Sequence, residues 1–179
     1  IPPLGSTSRS RFSPAGPAFD QTKLEWMNGE YIRKMTDEEL AIRLDNYLHG
    51  VDHMAKNIPS KELLMKLTPL IKERIKTLSE FIPLTDFFFG KPEYDMEVFK
   101  KLKIQDLKST LQKVTEKLEN IKTPWDTKEF EETFKALALE LQISNLDMFQ
   151  LIRVAVSGQL VTPPLFESIQ ILGKEETKN

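Results

Sequence analysis

The sequence predicts an all-α protein built from two small helical subdomains. Three observations carry that reading: side-chain caps recur from Asp20 onward, apolar residues behind them repeat at helical spacing, and strand-like alternation hardly appears. In Thr36-Asp37-Glu38-Glu39 the Thr hydroxyl and the Glu carboxylate can each satisfy an orphan backbone N–H, which is a capping box. Leu40, Ile42, Leu44, Tyr47 and Leu48 follow as an apolar face that ends at Gly50. Ser60 can cap a helix carrying Leu63, Leu64 and Leu67. Thr68-Pro69 then reads as a cap followed by proline at the first helical position, where its missing N–H costs nothing. A second helix is expected there, with Leu70, Ile71, Ile75, Leu78 and Phe81 on one stripe and Lys72, Glu73 and Lys76 on the wet side.

Two prolines, Gly90 and a cluster of Phe break the period between Pro83 and Pro92, which predicts a subdomain joint. Leu102, Leu107, Leu111, Val114 and Leu118 resume it, and Asp126-Thr127-Lys128-Glu129 resembles another capping box ahead of Phe130, Phe134, Leu137, Leu139 and Leu141. Ser144 can cap a segment with Met148, Leu151, Ile152, Val154 and Val156 that stops at Ser157-Gly158. Thr162-Pro163 repeats the cap-and-proline device ahead of Leu165, Phe166, Ile169 and Leu172, with Gly173 as a C-terminal stop. The sum is about seven or eight helices in two bundles, residues 36–90 and 91–173, with a tail at 174–179.

The 179 residues are enough for one sizeable domain or two small ones, and 40% hydrophobic with 29% charged residues is the profile of a folded chain rather than a disordered or collagen-like one. With no cysteine, disulfides, thiolate metal sites and cysteine nucleophiles are all excluded, and the cytoplasm is the expected compartment. No apolar run approaches the ~20 residues that span a bilayer. Residues 1–18 hold Pro, Gly, Ser and Arg without a signal peptide's hydrophobic stretch, so they read as a flexible leader or linker. The chain starts without methionine and is expected to be a piece of something longer.

Little in the chain suggests catalysis. His49 and His53 have the i, i+4 spacing of metal ligands, but Gly50 stands between them and only Asp45 and Asp52 are near, so a solvated pair is the expectation and no metal site is assigned. Glu131-Glu132 lies in an acidic stretch, residues 126 to 147, with 6 acids against 2 bases, as a wet face would. Gly90-Lys91-Pro92 lacks the upstream glycine and following hydroxyl of a phosphate loop, and no strand precedes Ser157-Gly158 to make a nucleophile elbow.

Local charge says more than the net −2. Residues 59 to 76 hold Lys61, Lys66, Lys72, Arg74 and Lys76 against Glu62 and Glu73, or 5 − 2 = +3. In the expected helix starting at Thr68-Pro69, Arg74 falls within the first two turns, near a helix end that attracts phosphate, where its planar fork suits phosphate oxygens or base edges. The plainer alternative is a surface ion pair with Glu73 or Glu80.

Three blocks in order carry a resemblance. Phe19-Asp20 with Lys23-Leu24-Glu25-Trp26-Met27-Asn28-Gly29-Glu30-Tyr31-Ile32-Arg33 resembles the end of the stem-contact part of bacterial glutamyl-tRNA synthetases, which assigns residues 19–35 to that region. Arg74-Ile75-Lys76-Thr77-Leu78-Ser79-Glu80-Phe81 is similar to the arginine-bearing helix of their anticodon-binding region. Arg153-Val154-Ala155-Val156-Ser157-Gly158, Thr162-Pro163-Pro164-Leu165-Phe166-Glu167 and Leu172-Gly173-Lys174-Glu175 resemble that family's C-terminal signature.

The resemblance implies an α-helical cage around the anticodon loop, at the end of a cytoplasmic, monomeric class I ligase that charges glutamate onto tRNA(Glu) with ATP and Mg²⁺. The adenylate-forming signatures, of His-Ile-Gly-His and Lys-Met-Ser-Lys-Ser type, are absent, and Ser60-Lys61 has neither their flanks nor their position. The piece alone is therefore expected to recognise tRNA for a catalytic domain elsewhere in the parent, with no catalytic residue, metal or cofactor of its own. Carried over residue by residue, Arg74 matches the arginine that reads the third anticodon base, and Arg153 the one beside the first two. Thr162, Pro163 and Leu165 match the turn that packs on those bases, with Lys72 and Lys76 as further backbone contacts. Some members also charge tRNA(Gln), and the arginine at position 74 favours discrimination. Trp26, Met27, Trp125 and Phe166 are expected in core or hinge packing rather than as stacking platforms. The alternative from another class is a free-standing helical module that binds a protein partner.

Overall fold

The structure, a computed structural model, describes residues 20–50, 58–121 and 126–178. The expected leader, Phe19, Asp52, His53 and Trp125 lie outside the described residues, as do the side chains of Lys174 and Glu175. Among the described residues there are nine α-helices and no strand: α1 Gln21–Lys34, α2 Asp37–Gly50, α3 Lys61–Ile71, α4 Phe81–Thr85, α5 Met96–Lys100, α6 Leu107–Asn120, α7 Thr127–Glu140, α8 Asn145–Ser157 and α9 Leu165–Lys178. Short 3-10 turns at Leu78–Glu80 and Asp86–Phe88 flank α4.

Most helix starts follow from the caps. The box before α2 is reciprocal, with the Thr36 N–H donating to Glu39 Oε2 at 2.9 Å and the Glu39 N–H to Thr36 Oγ1 at 3.1 Å. Ser60 and Ser144 accept from the N–H groups of Leu63 and Asp147, and Asp126 from that of Lys128. The carboxylates of Asp20, Asp95 and Asp106 do the same for α1, α5 and α6. Gly158 closes α8 in the left-handed region at φ +73°, and Gly173 at φ +77° ends the helical stretch from Leu165, a second short stretch of α9 following across the kink.

Thr68-Pro69 corrects the sequence reading, because no helix starts there. α3 runs through Pro69 to Ile71, while the buried Thr68 hydroxyl donates to the Leu64 carbonyl at 2.7 Å. Proline removes one helical hydrogen bond and ends the helix within a turn. Continuing that far puts Ile71 beside Leu64 and Leu67 in the core, an apolar gain that outweighs the lost bond. Ile75, expected on a helix, is fully buried from the turn that follows.

Two buried clusters result. One joins Ile32 of α1 to Leu40, Leu44, Leu64, Leu67, Ile71, Ile75 and Phe81; the other joins Val114, Leu118, Phe130, Phe134, Leu137, Met148, Ile152, Leu165 and Ile169. Ile171 of α9 packs on the first cluster although its neighbour Ile169 lies in the second, so one helix touches both. In the second cluster Phe130 stacks on Phe134 and Phe166 with centroids 6.4 and 6.5 Å apart. Phe166 is thus packed as expected, but Trp26 and Met27 are not: α1 buries only Gly29 and Ile32, leaving Trp26 58% exposed. Leu139, expected on the apolar face of α7, also points to water.

Thr36→Ala removes half of the capping box and is expected to cost ~1 kcal/mol. Phe134→Ala opens a cavity in the second cluster and is expected to cost about 3–5 kcal/mol. Urea unfolding of each variant against the parent sequence checks both.

Candidate nucleic-acid interface

Arg74 is exposed and lies in the turn after α3, not at the start of a helix. Its N–H donates to the Ile71 carbonyl at 2.7 Å, and the N–H of buried Ile75 reaches the same oxygen at 3.1 Å. The turn is therefore pinned from inside while the guanidinium points outward. The helix-start argument for an anion at Arg74 is withdrawn by this geometry. The residue follows a helix C-terminus, whose carbonyl charges favour a cation instead.

Its neighbours divide. Lys72 Nζ pairs with Asp37 Oδ1 at 3.1 Å and its side chain is largely buried, so that ammonium is engaged within the protein. Lys76 is exposed, and its backbone is held at both polar atoms: the N–H donates to Glu80 Oε2 at 2.7 Å and the carbonyl accepts from Asn28 Nδ2. A Cβ on Gly29 would stand 3.3 Å from both terminal nitrogens of Arg33 and 3.5 Å from Lys76 Cγ. The glycine thus makes room for Arg33 and Lys76 to lie together on α1. Arg33 pairs with Glu30 at 2.6 Å, which holds that carboxyl below its usual pKa.

Arg153 projects from α8 and is half-buried. Its Nε donates to Thr162 Oγ1 at 3.0 Å, and that hydroxyl donates onward to the Pro163 carbonyl at 2.9 Å. Thr162, at 3% exposure, is a prop for Arg153 and not the helix cap expected from its sequence context. Pro163 is likewise not at a first helical position, because α9 starts at Leu165 and the Ser168 N–H returns to the Pro164 carbonyl. Pro163 and Leu165 are buried, Leu165 in the second cluster. They floor the site, and the guanidinium of Arg153 is its polar face.

The two arginines come from different clusters and feel each other. Burial, and then the charge of Arg74, lower the pKa of Arg153 below its ordinary value. Among the described residues no carboxylate forms an ion pair with either guanidinium. Glu80, one of the two acids that the plainer alternative paired with Arg74, is turned to the Lys76 N–H. Two cations held together without an anion form a site that gains from an anionic or acceptor-rich ligand, and guanidinium forks fit phosphate and base edges.

Other candidates are bound within the fold. His49 Nδ1 lies 2.8 Å from the Asp45 carbonyl oxygen, and no group of three His, Asp or Glu side chains among the described residues could hold a metal. Glu131 pairs with Lys135. No helix is long and apolar enough to cross a membrane. The sequence reading missed the contacts at the back of α8. Tyr94 OH donates to the Ala155 carbonyl at 2.8 Å and Gln159 Nε2 to Asp86 Oδ1 at 3.2 Å, across separations of 61 and 73 residues that no local pattern reports.

Comparison with known proteins agrees with the fold. A glutamate–tRNA ligase 2 of Thermosipho melanesiensis is 33% identical over 162 residues, covering 89% of this chain and 35% of that protein. A glutamate–tRNA ligase of Clostridium kluyveri is 37% identical over 166 residues, covering 89% and 32%. The chain thus spans about a third of the length of these relatives. A crystal structure of a glutamate tRNA ligase from Elizabethkingia meningosepticum in complex with its amino acid shares the fold, with a TM-score of 0.75 at 23% identity over 89% of this chain and 31% of that one. Residues 39–179, the stretch that matches the anticodon binding domain, hold the second cluster, the first apart from Ile32 of α1, and both Arg74 and Arg153, and the chain belongs to that family.

Proposed function

We propose that this chain reads the anticodon of tRNA(Glu) as part of a glutamate–tRNA ligase. The observation that carries the reading is that two arginines are held by the fold without an acidic partner among the described residues, Arg74 on a turn pinned through the Ile71 carbonyl and Arg153 propped by Thr162. In this reading Arg74 presents its fork to the third anticodon base, where the acceptors of cytosine suit it. Arg153, propped by Thr162 over Pro163 and Leu165, meets the first two. Lys76 extends the positive surface toward the phosphates, while the charges of Lys72 and Arg33 are paired within the protein with Asp37 and Glu30.

The parent enzyme would join glutamate to tRNA in the cytoplasm as a monomer, with ATP and Mg²⁺ serving its catalytic domain. No residue of this chain is assigned to that chemistry, and the chain alone is expected to be inactive in aminoacylation. An exposed arginine at position 74 favours a parent that separates tRNA(Glu) from tRNA(Gln), whose anticodons differ at the third base. The relatives' shared ligase names weigh against the free-standing protein-interaction module.

Titration of the chain with a labelled anticodon stem-loop of tRNA(Glu), and with one altered only at the third anticodon base, tests the proposal at two salt concentrations. Affinity is expected to fall by orders of magnitude from about 50 to 200 mM salt, because phosphate contacts release counterions. Binding that ignores salt sinks the RNA reading. Arg74→Ala is expected to shrink the preference for the cytosine loop by ~1–3 kcal/mol. Equal loss on both loops would make Arg74 a phosphate clamp instead.

A further inference from the structure

The geometry points to Tyr94 and Gly158 as positioning residues that hold Arg153 in register with Arg74, an inference that rests on the anticodon-reading proposal. The last carbonyls of a helix have no partner within it, so whatever takes them fixes where the helix end sits. In α8 the Val154 carbonyl accepts the Gly158 N–H at 2.8 Å, and the Arg153 carbonyl accepts Ser157 Oγ at 2.7 Å. The Ala155 carbonyl is taken from outside, by the Tyr94 hydroxyl at 2.8 Å. One residue earlier, in the connector of residues 89–95 that leads into α5, the Glu93 backbone lies against Gly158 so closely that a Cβ there would collide with the Glu93 oxygen. Gly158 also has φ +73°, so close approach and backbone conformation both require glycine.

That connector ties back to Arg74. Gln159, next to Gly158, donates to Asp86, which begins the 3-10 turn after α4. Phe81, the first residue of α4, is buried in the same cluster as Ile75, the neighbour of Arg74. Contacts thus run from the Arg74 turn through Ile75 and Phe81 to Asp86, and from Asp86 through Gln159 to the end of α8, where Glu93 and Tyr94 also dock. Neither Tyr94 nor Gly158 needs to touch the ligand to act, because both set where the α8 end rests.

The test titrates the 179-residue chain with the anticodon stem-loop of tRNA(Glu), using Tyr94→Phe, Arg153→Ala, the double variant and Gly158→Ala, with each variant's fold checked by circular dichroism. Tyr94→Phe keeps the ring beside Phe99 and removes only the O–H, so folding is expected to survive. Loop binding should weaken about threefold to tenfold. The loss should vanish in the Arg153→Ala background, a coupling that a merely stabilising bond would not produce. Gly158→Ala should weaken binding at least as much where it folds. Wild-type affinity in Tyr94→Phe, or a loss that persists undiminished without Arg153, overturns the inference and leaves the anticodon reading intact. A wild-type chain with no salt-sensitive loop binding overturns both.

Discussion

Apolar burial beneath Arg74 and beside Arg153 is the interaction on which the arrangement of the site depends. Burial and the neighbouring charge both lower the pKa of Arg153, so the arrangement is held against two opposing terms. What holds it is apolar burial on either side. Ile75, fully buried, pins the turn of Arg74 to one cluster, and Ile152 and Val154 fix α8 on either side of Arg153. Each anchor removes a side chain from water, worth about 1.5–3 kcal/mol, which is enough to hold a partly screened pair of like charges.

The same logic explains the polar contacts around the site. Thr162 spends both roles of its hydroxyl inside the protein, accepting from Arg153 Nε and donating to the Pro163 carbonyl. Asn28 and Glu80 occupy the backbone of Lys76 from two directions, so the turn beyond Arg74 is closed at both of its ends. Backbone groups that would otherwise need water are satisfied by neighbours, and the guanidiniums remain the groups with capacity to spare.

How much of this the sequence disclosed depended on range. The box at Thr36 and the caps at Ser60, Asp126 and Ser144 were legible because cap and partner lie within one turn, though Asp126 caps through the Lys128 N–H without the reciprocal Glu129 bond of a box. Thr68-Pro69 and Thr162-Pro163 misled for the same reason, since a Thr before a Pro looks identical whether its hydroxyl caps the next helix, bonds back to Leu64, or props an arginine. The choice is made by burial, which is a tertiary fact. The Tyr94 and Gln159 contacts had no local signature at all. Composition indicated a basic segment at 59 to 76, yet Arg153 stood out only through resemblance, because it sits singly in an apolar helix.

The two arginines are unequal, and under the anticodon-reading proposal the difference bears on what each would read. Arg153 has already lost part of its hydration and one of its donors is committed to Thr162, so little conformational freedom remains for a ligand to remove. Such a group contributes affinity through preorganisation. Arg74 is exposed, its side chain makes no hydrogen bond within the described residues, and ordering its long stem on binding costs about 2 kcal/mol of rotamer freedom. That cost is repaid only where the fork finds paired acceptors, so a wrong base at Arg74 leaves the entropy spent and the bonds unmade. Under the anticodon-reading proposal, a rigid arginine that binds and a free one that must be satisfied would together place discrimination at the exposed position.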